Sequence, residues 1–373
     1  MPSSASFIWA PPTRDPRREP CRLSMHLCLT GAGSRRFDNF NPSFKGRFEM
    51  RRRFLVLAAA AAAGLLFAFT SQAQPWPSKP IRLIVPFSAG GSTDTVARII
   101  SEKLTSRIGE AVIVDNRAGA GGALGSEMVA KSAPDGYTFL VGTASTMVIG
   151  PHIYTKLRYD PLRDLASVTL LGIADIVVVV NSKLPIRTIK DLLQYAKANP
   201  GKLTFASAGN GSISHLLGEY FKSMAKIELL HVPYRGDAQI VPDLIAGQVS
   251  LAFGTAVGFM PHVRSGKVVA IAVTNPKRST TLTDLPTVSE SGVPGYEAVQ
   301  WFGISAARGT SAEIVKRMYT EVKAILAMPE VAKRFTELGF DVVGSSPEEY
   351  EQFIRAEDAK WKKIVDMSGT RLD

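Results

Sequence analysis

Apolar positions along the first third of the chain after residue 80 switch between two periods, one typical of strands and one typical of amphipathic helices. The predicted elements are a strand at 81–87, a helix with Val96, Ile99, Ile100, Leu104 and Ile108 on one face, a strand at 111–114, a helix near 126–132 and a strand at 137–141. This βαβαβ order is typical of a parallel sheet covered by helices.

A second alternation follows a continuous apolar run. Residues 170–181 include five successive Ile and Val positions, 176–180, which favour a strand buried on both faces. Helices are then predicted at 188–198, 215–225 and 238–246, strands at 203–206, 229–233, 250–253 and 268–274, and a mostly helical region from 310 onward. Two α/β blocks, each a mostly parallel sheet flanked by helices, predict two lobes with a ligand cleft between them.

The beginning of the chain has the pattern of an export signal. Met50 is followed by three arginines, an apolar run at 54–69 and small residues at Ser71 and Ala73, which together describe a secretory signal peptide cleaved near Ala73. A membrane anchor is the alternative, but the run is shorter than the ~18–20 residues that span a bilayer. We therefore expect residues 50–73 to be a signal peptide, residues 1–49 to be a mis-annotated extension, and the mature protein to reach the periplasm.

Charge and cysteine content narrow the function classes. Residues 1–73 hold eleven Lys/Arg and four Asp/Glu, so +7 of the total charge of +11 lies there and +4 remains for the rest. A nucleic-acid partner is therefore not expected. Cys21 and Cys28 precede Met50, so the mature chain is expected to contain no disulfide, thiol nucleophile or thiolate metal site.

Glycine- and serine-rich loops stand where predicted strands end and helices begin. Residues 88–93 precede one helix and residues 209–214 another. Helix N-termini carry unpaired N–H groups and a positive partial charge, and glycine lets an anion approach them closely. The pattern indicates a site for a carboxylate, unless Ser92 and Ser214 only cap their own helices.

Residues 86–94 (PFSAGGSTD) resemble the P-F-x-x-G-G-x-x-D loop of the Bug-type (TctC) solute-binding receptors of tripartite tricarboxylate transporters. Further matching blocks are 116–122 (NRAGAGG), 133–138 (APDGYT), 159–164 (YDPLRD), 207–212 (SAGNGS) with 215–216, 232–236 (VPYRG), 284–288 (DLPTV) and 301–303 (WFG). The similarity covers residues 75–373. Gly254, Asp237 and Arg308 depart from the family's usual pattern.

This resemblance implies a two-lobe periplasmic binding protein fold, type II-like, that closes over a small carboxylated solute. Residues 74–182 and 298–373 are expected to form lobe 1 and residues 183–297 lobe 2. The expected partners are a di- or tricarboxylate, acidic amino acid or aromatic carboxylate and the membrane permease of the transporter, with the receptor a monomer.

The loops, the strand ends and the resemblance together predict the ligand-binding residues. They are Phe87, Ser88, Ala89, Gly90, Gly91, Asp94, Thr143, Ser145, Ser207, Gly209, Asn210, Gly211, Ser212, His215, Arg235 and Gly236. No catalytic residue, metal ligand or cofactor is predicted.

Three of these side chains have competing interpretations. Asp94 either stabilises the first turn of its helix or has a role at the site: bracing the loop, orienting a bridging water or pairing with an amino group of the solute. His215 and Glu219 stand four residues apart, but two ligands do not make a metal site, so a surface or cleft-lining pair is favoured. Arg235 either forms a bidentate contact with a carboxylate or is neutralised by Asp237.

Two further function classes stay open on the sequence. A solute sensor acting on a sensor kinase would need the same cleft, and an extracytoplasmic lyase or hydratase would use Asp94 or His215 as acid or base. An enzyme requires a titratable pair that converges in the cleft, and the sequence shows none. We therefore expect a binding protein and not an enzyme.

Overall fold

The computed structural model describes residues 53–55 and 76–373. Residues 53–55 are helical and exposed. Residues 76–373 belong to one compact unit that contains two β-sheets with helices around them. The predicted extension at 1–49 and nearly all of the predicted signal peptide at 50–73 lie outside the described residues. Within the described ranges, no helix has both the length and the apolar character needed to cross a bilayer.

The first sheet has six strands in the order β11-β4-β10-β3-β1-β2. Its strands are β1 (Ile81–Val85), β2 (Val112–Asn116), β3 (Thr138–Thr143), β4 (Leu165–Ala174), β10 (Gln300–Ala307) and β11 (Phe340–Val342). β1 pairs in parallel with both β2 and β3, as the βαβαβ pattern predicts. β10 runs antiparallel between β3 and β4, and β11 runs antiparallel to β4.

The second sheet has five strands in the order β7-β6-β8-β5-β9. Its strands are β5 (Ile176–Asn181), β6 (Thr204–Ser207), β7 (Leu230–Pro233), β8 (Leu251–Thr255) and β9 (Val268–Val273). β6 is parallel to β7 and β8, whereas β5 is antiparallel to β8 and β9. Every residue of β5 is buried, which confirms the prediction from its continuous apolar run.

Helices lie against both sheets. They are α1 (Ser92–Ile108), α2 (Ala123–Ala130), α3 (Gly150–Ile153), α4 (Pro161–Asp164), α5 (Ile189–Ala198), α6 (Ile213–Ala225), α7 (Asp237–Ala246), α8 (Ala256–Arg264), α9 (Ala312–Leu326), α10 (Pro329–Glu337) and α11 (Pro347–Ser368). Val96, Ile100 and Leu104 of α1 are fully buried in one apolar cluster with β1 and α9. Helical spacing thus correctly identifies the face of α1 that packs on the sheet.

The two-lobe α/β class is confirmed, but the expectation of mostly parallel sheets is not. In the first sheet two of the five strand pairings are parallel, and in the second sheet two of four. The physical reason is that β5 and β10 each enter a sheet from the other half of the molecule. Such strands are not joined to their neighbours by a βα unit, so nothing makes them parallel.

Asp175 occupies the junction between the two sheets, directly between β4 and β5. Its buried carboxylate accepts a hydrogen bond from Asn275 Nδ2 at 2.6 Å and another from Ser279 Oγ, and both donors follow β9. Its backbone N–H donates to Gly339 O at 3.1 Å. The chain segments that cross between the sheets are therefore tied together at this residue.

Candidate functional site

The loop after β1 lies against the start of α7, on the opposite sheet. Ser88 N donates to Arg235 O at 3.2 Å, and Ser92 Oγ donates to Asp237 Oδ2 at 2.6 Å. Gly236 has φ +151, and a Cβ there would overlap Ser88. The predicted Gly-rich loop and the predicted Arg235–Gly236 turn are therefore in direct contact across the cleft.

The loop after β6 makes the second contact between the sheets. Ile213 N donates to Ser145 Oγ at 2.9 Å, and Tyr154 OH donates to Asn210 O at 2.6 Å. Gly121, on the side of the first sheet, lies so close that a Cβ on it would stand 2.5 Å from Asn210 O. Both Gly-rich loops thus contact elements of the opposite sheet.

A cavity of about 20 Å³ remains between these contacts. Its lining residues are Phe87, Ser92, Thr93, Ser145, Ile176, Ala208, Ser212, Ile213, Ser214, Asp237, Phe253, Gly254, Thr255 and Gln300. This volume holds about one water molecule, whereas an engineered protein cavity that takes up benzene measures about 150 Å³. The structure is therefore a closed form of the cleft.

Four helices begin at this cavity. Ser92 opens α1, Ile213 opens α6 and Asp237 opens α7, while Thr255 directly precedes α8. The first N–H groups of a helix have no intrahelical partner, and the positive end of the macrodipole adds to their attraction for an anion. The helix starts thus contribute backbone N–H groups and positive partial charge at the cavity.

Sheet geometry explains why residues distant in sequence meet here. The parallel strands β6, β7 and β8 end at one edge of the second sheet, and β1 and β3 end at one edge of the first. Gln300 begins β10, which runs antiparallel to β3, so its side chain reaches Ala144 N with an Oε1 distance of 3.4 Å. Ile176 begins β5 and pairs with Thr255 at the end of β8 for the same reason.

Asp94 braces the loop after β1. Its Oδ2 accepts from Gly90 N and from Arg98 Nε, both at 2.8 Å, and its Oδ1 is buried. Burial alone would raise the pKa of Asp94, but hydrogen bonds from Arg98, Gly90 and Asn116 and the charge of Arg98 outweigh it and lower the pKa. The carboxylate is therefore ionised. Its Oδ2 is held by its own loop and helix, whereas its buried Oδ1 has no hydrogen-bond partner among the described residues.

The alternative that Ser92 and Ser214 cap their own helices is wrong. Gly91 is the N-cap residue of α1 and offers no side-chain hydrogen bond, while Ser92 Oγ bonds to Asp237. Ser212 caps α6, accepting from His215 N at 3.3 Å, and Ser214 Oγ accepts from Ala208 N at 2.9 Å. Both hydroxyls instead hold neighbouring parts of the cavity wall.

Two histidines hold the loop after β6 through hydrogen bonds. His215 Nδ1 accepts from Gly211 N at 3.3 Å, and its ring stacks on that of His231 with centroids 4.2 Å apart. His231 Nε2 bonds to Ser207 Oγ at 2.6 Å, and this oxygen accepts from Gly209 N at 3.2 Å. Burial lowers the pKa of His215, and it lowers the pKa of His231 to about 3 with help from the charges of His215 and Lys222. Both rings are therefore neutral near neutral pH.

The metal interpretation of His215 finds no support in this geometry. Glu219 is paired with Lys222 at 2.8 Å and leaves His215 without a second ligand. Over the ranges that the structure describes, no group of three or more His, Cys, Asp or Glu side chains could hold a metal ion.

The sixteen predicted residues fall into three groups. Phe87, Ser145 and Ser212 line the cavity itself. The remainder either support the lining or make the contacts between the sheets, apart from three. Thr143 is buried beside the lining with an unpartnered Oγ1, and Ala89 and Arg235 are exposed. The sequence analysis missed Gln300 and His231 entirely. It noted Asp237 as a departure from the family pattern and as a possible partner of Arg235, but not as a ligand-binding residue.

The glycine at 254 also shapes the cavity wall. A Cβ at Gly254 would overlap the ring of Phe259, so any larger residue would need this ring to move. Thr255, the next residue, donates to Asp237 Oδ2 at 3.3 Å. Thr255 ends the observed strand β8, two residues beyond the end of the predicted strand at 250–253, and its place just after that strand is the signal that could have identified it.

Comparisons with known proteins agree with this architecture. The family model "Tripartite tricarboxylate transporter family receptor" (TctC) matches residues 96–370. The protein BugT of Bordetella pertussis is 35% identical over 325 residues, which cover 87% of this chain and 99% of BugT.

Three solved structures are similar to the chain throughout their length. The periplasmic binding protein BugD has a TM-score of 0.77 at 34% identity, covering 79% of this chain and 99% of BugD. Rpa4515 of R. palustris with adipate has a TM-score of 0.77 at 36% identity, covering 80% of this chain and 100% of Rpa4515. MatC of Rhodopseudomonas palustris with bound malate has a TM-score of 0.75 at 31% identity, covering 78% of this chain and 100% of MatC.

Proposed function

The chain belongs to the tripartite tricarboxylate transporter receptor (TctC) family, and on this premise we propose that it captures a small carboxylated metabolite outside the cytoplasm and delivers it to a tripartite tricarboxylate-type permease. One observation carries the proposal: four helices from both sheets begin at a single cavity in the cleft. Two solved relatives hold adipate and malate, which are both carboxylates.

The donors around the cavity suit a carboxylate. Backbone N–H groups at the helix starts can donate to an anion, and so can the hydroxyl of Ser145, which accepts from Ile213 N and keeps its own O–H hydrogen. We propose that the predicted loops, residues 87–91 and 207–212, bind one carboxylate end mainly through backbone. Micromolar affinity requires about 8 kcal/mol, which a few charge-assisted hydrogen bonds and ligand burial supply.

Admission of a ligand requires the cleft to open, because a cavity of about 20 Å³ holds about one water molecule. We propose a hinge at Asp175 and at the return crossing between β9 and β10. The sequence analysis assigned residues 74–182 and 298–373 to lobe 1 and residues 183–297 to lobe 2. Residues 176–181 differ from that assignment, because they form β5, which pairs with β8 and β9. The hinge at Asp175 therefore places β5 with the second lobe.

A binding role is favoured over catalysis by the chemistry of the lining. Asp237 is the one ionisable side chain among the lining residues, whereas acid–base catalysis needs a converging pair. We further propose that the receptor is a periplasmic monomer whose signal peptide is removed near Ala73. A sensor kinase as the partner is the competing proposal, and loss of uptake of the bound acid on gene deletion distinguishes transport from signalling.

A calorimetric screen tests the function. The mature chain from Gln74, freed of endogenous solute by unfolding and refolding, is titrated with di- and tricarboxylates, acidic amino acids, nicotinate-like acids and aromatic acids. At least one class is expected to bind with micromolar or tighter affinity and without turnover. Absence of heat across all classes overturns the proposal, and turnover of a bound acid favours the lyase or hydratase.

A further inference from the structure

Asp237 places a carboxylate inside a cavity that the chain otherwise builds for an anion. It is the first residue of α7 and lines the cavity together with hydroxyl, amide and apolar side chains. None of the other lining residues is acidic or basic. A second carboxylate brought by a ligand would therefore meet a negative charge with no cationic side chain beside it.

The partners of Asp237 are neutral. Its Oδ2 accepts from Ser92 Oγ at 2.6 Å and from Thr255 Oγ1 at 3.3 Å. Burial raises the pKa of Asp237, while the hydrogen bonds from Ser92 and Thr255 oppose that shift. In the part of the chain that the structure describes, no Lys, Arg or His forms an ion pair with this carboxylate, so its charge is compensated only by hydroxyls and helix ends.

Asp94, the other acid near the loops, is committed elsewhere. It is held by Gly90 N and by Arg98, each at 2.8 Å, and it does not line the cavity. The role of pairing with an amino group, considered for Asp94 from the sequence, therefore suits Asp237 better.

We propose that Asp237 is the counter-ion for an ammonium group of the ligand, so that this receptor selects amino acids or other amino-carboxylates over acids that lack the amine. This inference rests on the proposed function. The carboxylate of the ligand meets the N-termini of α1 and α6, and its ammonium group meets Asp237 at the start of α7. A zwitterion satisfies both, whereas a dicarboxylate satisfies only the helix ends.

Matched ligand pairs test this selectivity by calorimetry. The probes are L-aspartate against succinate, L-glutamate against glutarate, and 4-aminobutanoate against butanoate, since the members of each pair differ only by the amine. The wild type is expected to bind the amine-bearing member of at least one pair tenfold or more tightly. Asp237→Asn, which keeps the size of the side chain, is expected to reduce that ratio to threefold or less.

Two further variants make the result specific. Asp237→Ala guards against a folding defect in Asp237→Asn and is expected to lose the preference as well, with circular dichroism confirming that both variants fold. Asp243→Asn removes one negative charge from the same helix at a residue that bonds to Tyr234 OH and does not line the cavity. It is expected to keep the wild-type preference.

The outcomes separate this inference from the proposed function. Tight binding of succinate, glutarate or adipate with no preference for the amine overturns the role of Asp237 and leaves the carboxylate receptor intact. An amine preference that survives both substitutions of Asp237 also overturns it. Absence of binding for every acid, with or without an amine, overturns both proposals.

Discussion

Gly121 provides the most direct test of whether ligand binding requires the close approach of the two loops that the structure shows. Its φ is +59, and a Cβ there would lie 2.5 Å from Asn210 O, 2.8 Å from Gly211 C and 2.9 Å from Ser212 N. All three atoms are backbone of the facing loop, so no side-chain rotation relieves the overlap. Because carbon–oxygen contacts lie near 3.3–3.6 Å, Gly121→Ala should separate the loops by about 1 Å.

Two costs of this substitution act in different states. An alanine at a left-handed position costs about 1–2 kcal/mol wherever the turn is kept, so it lowers stability in the open and closed forms alike. The overlap costs about 1–3 kcal/mol more, by the usual cost of overpacking, and only when the cleft is closed. If ligand binding requires closure, Gly121→Ala should weaken affinity by about 5- to 150-fold.

Gly109→Ala is the matched control. Gly109 ends α1 with φ +80, and a Cβ there would meet nothing within 4 Å. Gly109→Ala therefore has the cost of an alanine at a left-handed position without the cost of the overlap. Both variants should lose a similar amount of thermal stability, but only Gly121→Ala should weaken binding of the acid identified by calorimetry.

Small-angle X-ray scattering adds a structural measurement. On addition of that acid, the radius of gyration of the wild type and of Gly109→Ala should decrease, and that of Gly121→Ala should decrease less. Wild-type affinity together with wild-type contraction in Gly121→Ala would refute the closure geometry.

Two further predictions concern the supports of the loops. Asp94→Ala removes the charged acceptor of the Gly90 N–H. Because a hydrogen bond to a charged group contributes about 1.5–3 kcal/mol, this variant should weaken ligand binding about tenfold or more. Arg98→Ala removes an ion-pair partner that is 57% exposed but keeps the hydrogen bond from Gly90 N to Asp94, so it should weaken binding less in the same titration; equal effects would contradict the bracing role. The pKa of His231 is about 3 when folded and near 6.5 when unfolded, so the unfolded chain binds more protons between these values and stability should fall as pH drops from 6.5 toward 3. Melting curves of His231→Gln should show a shallower fall between pH 6.5 and 4, and curves parallel to the wild type would contradict this.

Local periodicity predicted most of the elements but not how distant strands combine. The predicted strand at 111–114 is observed as Val112–Asn116, and the predicted helix at 238–246 as Asp237–Ala246. Helix Ala256–Arg264 was not predicted, although it is similar in length to Asp237–Ala246 and, like it, contains a proline. The antiparallel position of β10 depends on contacts with strands far away in sequence, and no local pattern encodes them.

For the site, backbone loops were more predictable than side chains. Gly-rich turns at strand ends must face the edge of their sheet, which is why residues 87–91 and 207–212 lie at the cleft. Arg235 and Asp237 are two residues apart. Because α7 begins at Asp237, this side chain lines the cavity, whereas Arg235 precedes the helix and is exposed. That start follows from the conformation of Gly236, with φ +151, which the sequence alone does not specify.

Backbone and side chains contribute differently to how such a receptor selects its ligand. Helix N-termini attract any carboxylate, so they provide affinity without distinguishing one acid from another. Discrimination must then come from the few side chains that face the cavity and whose interactions differ between ligands. In this chain the absence of a side chain at Gly254 makes room for the ring of Phe259. The acidic side chain of the cavity is Asp237, which accepts a hydrogen bond from Ser92 of the opposite sheet. Because this hydrogen bond crosses the cleft, Asp237 contributes to closure, and in the role proposed for it above it would determine ligand choice through the same carboxylate.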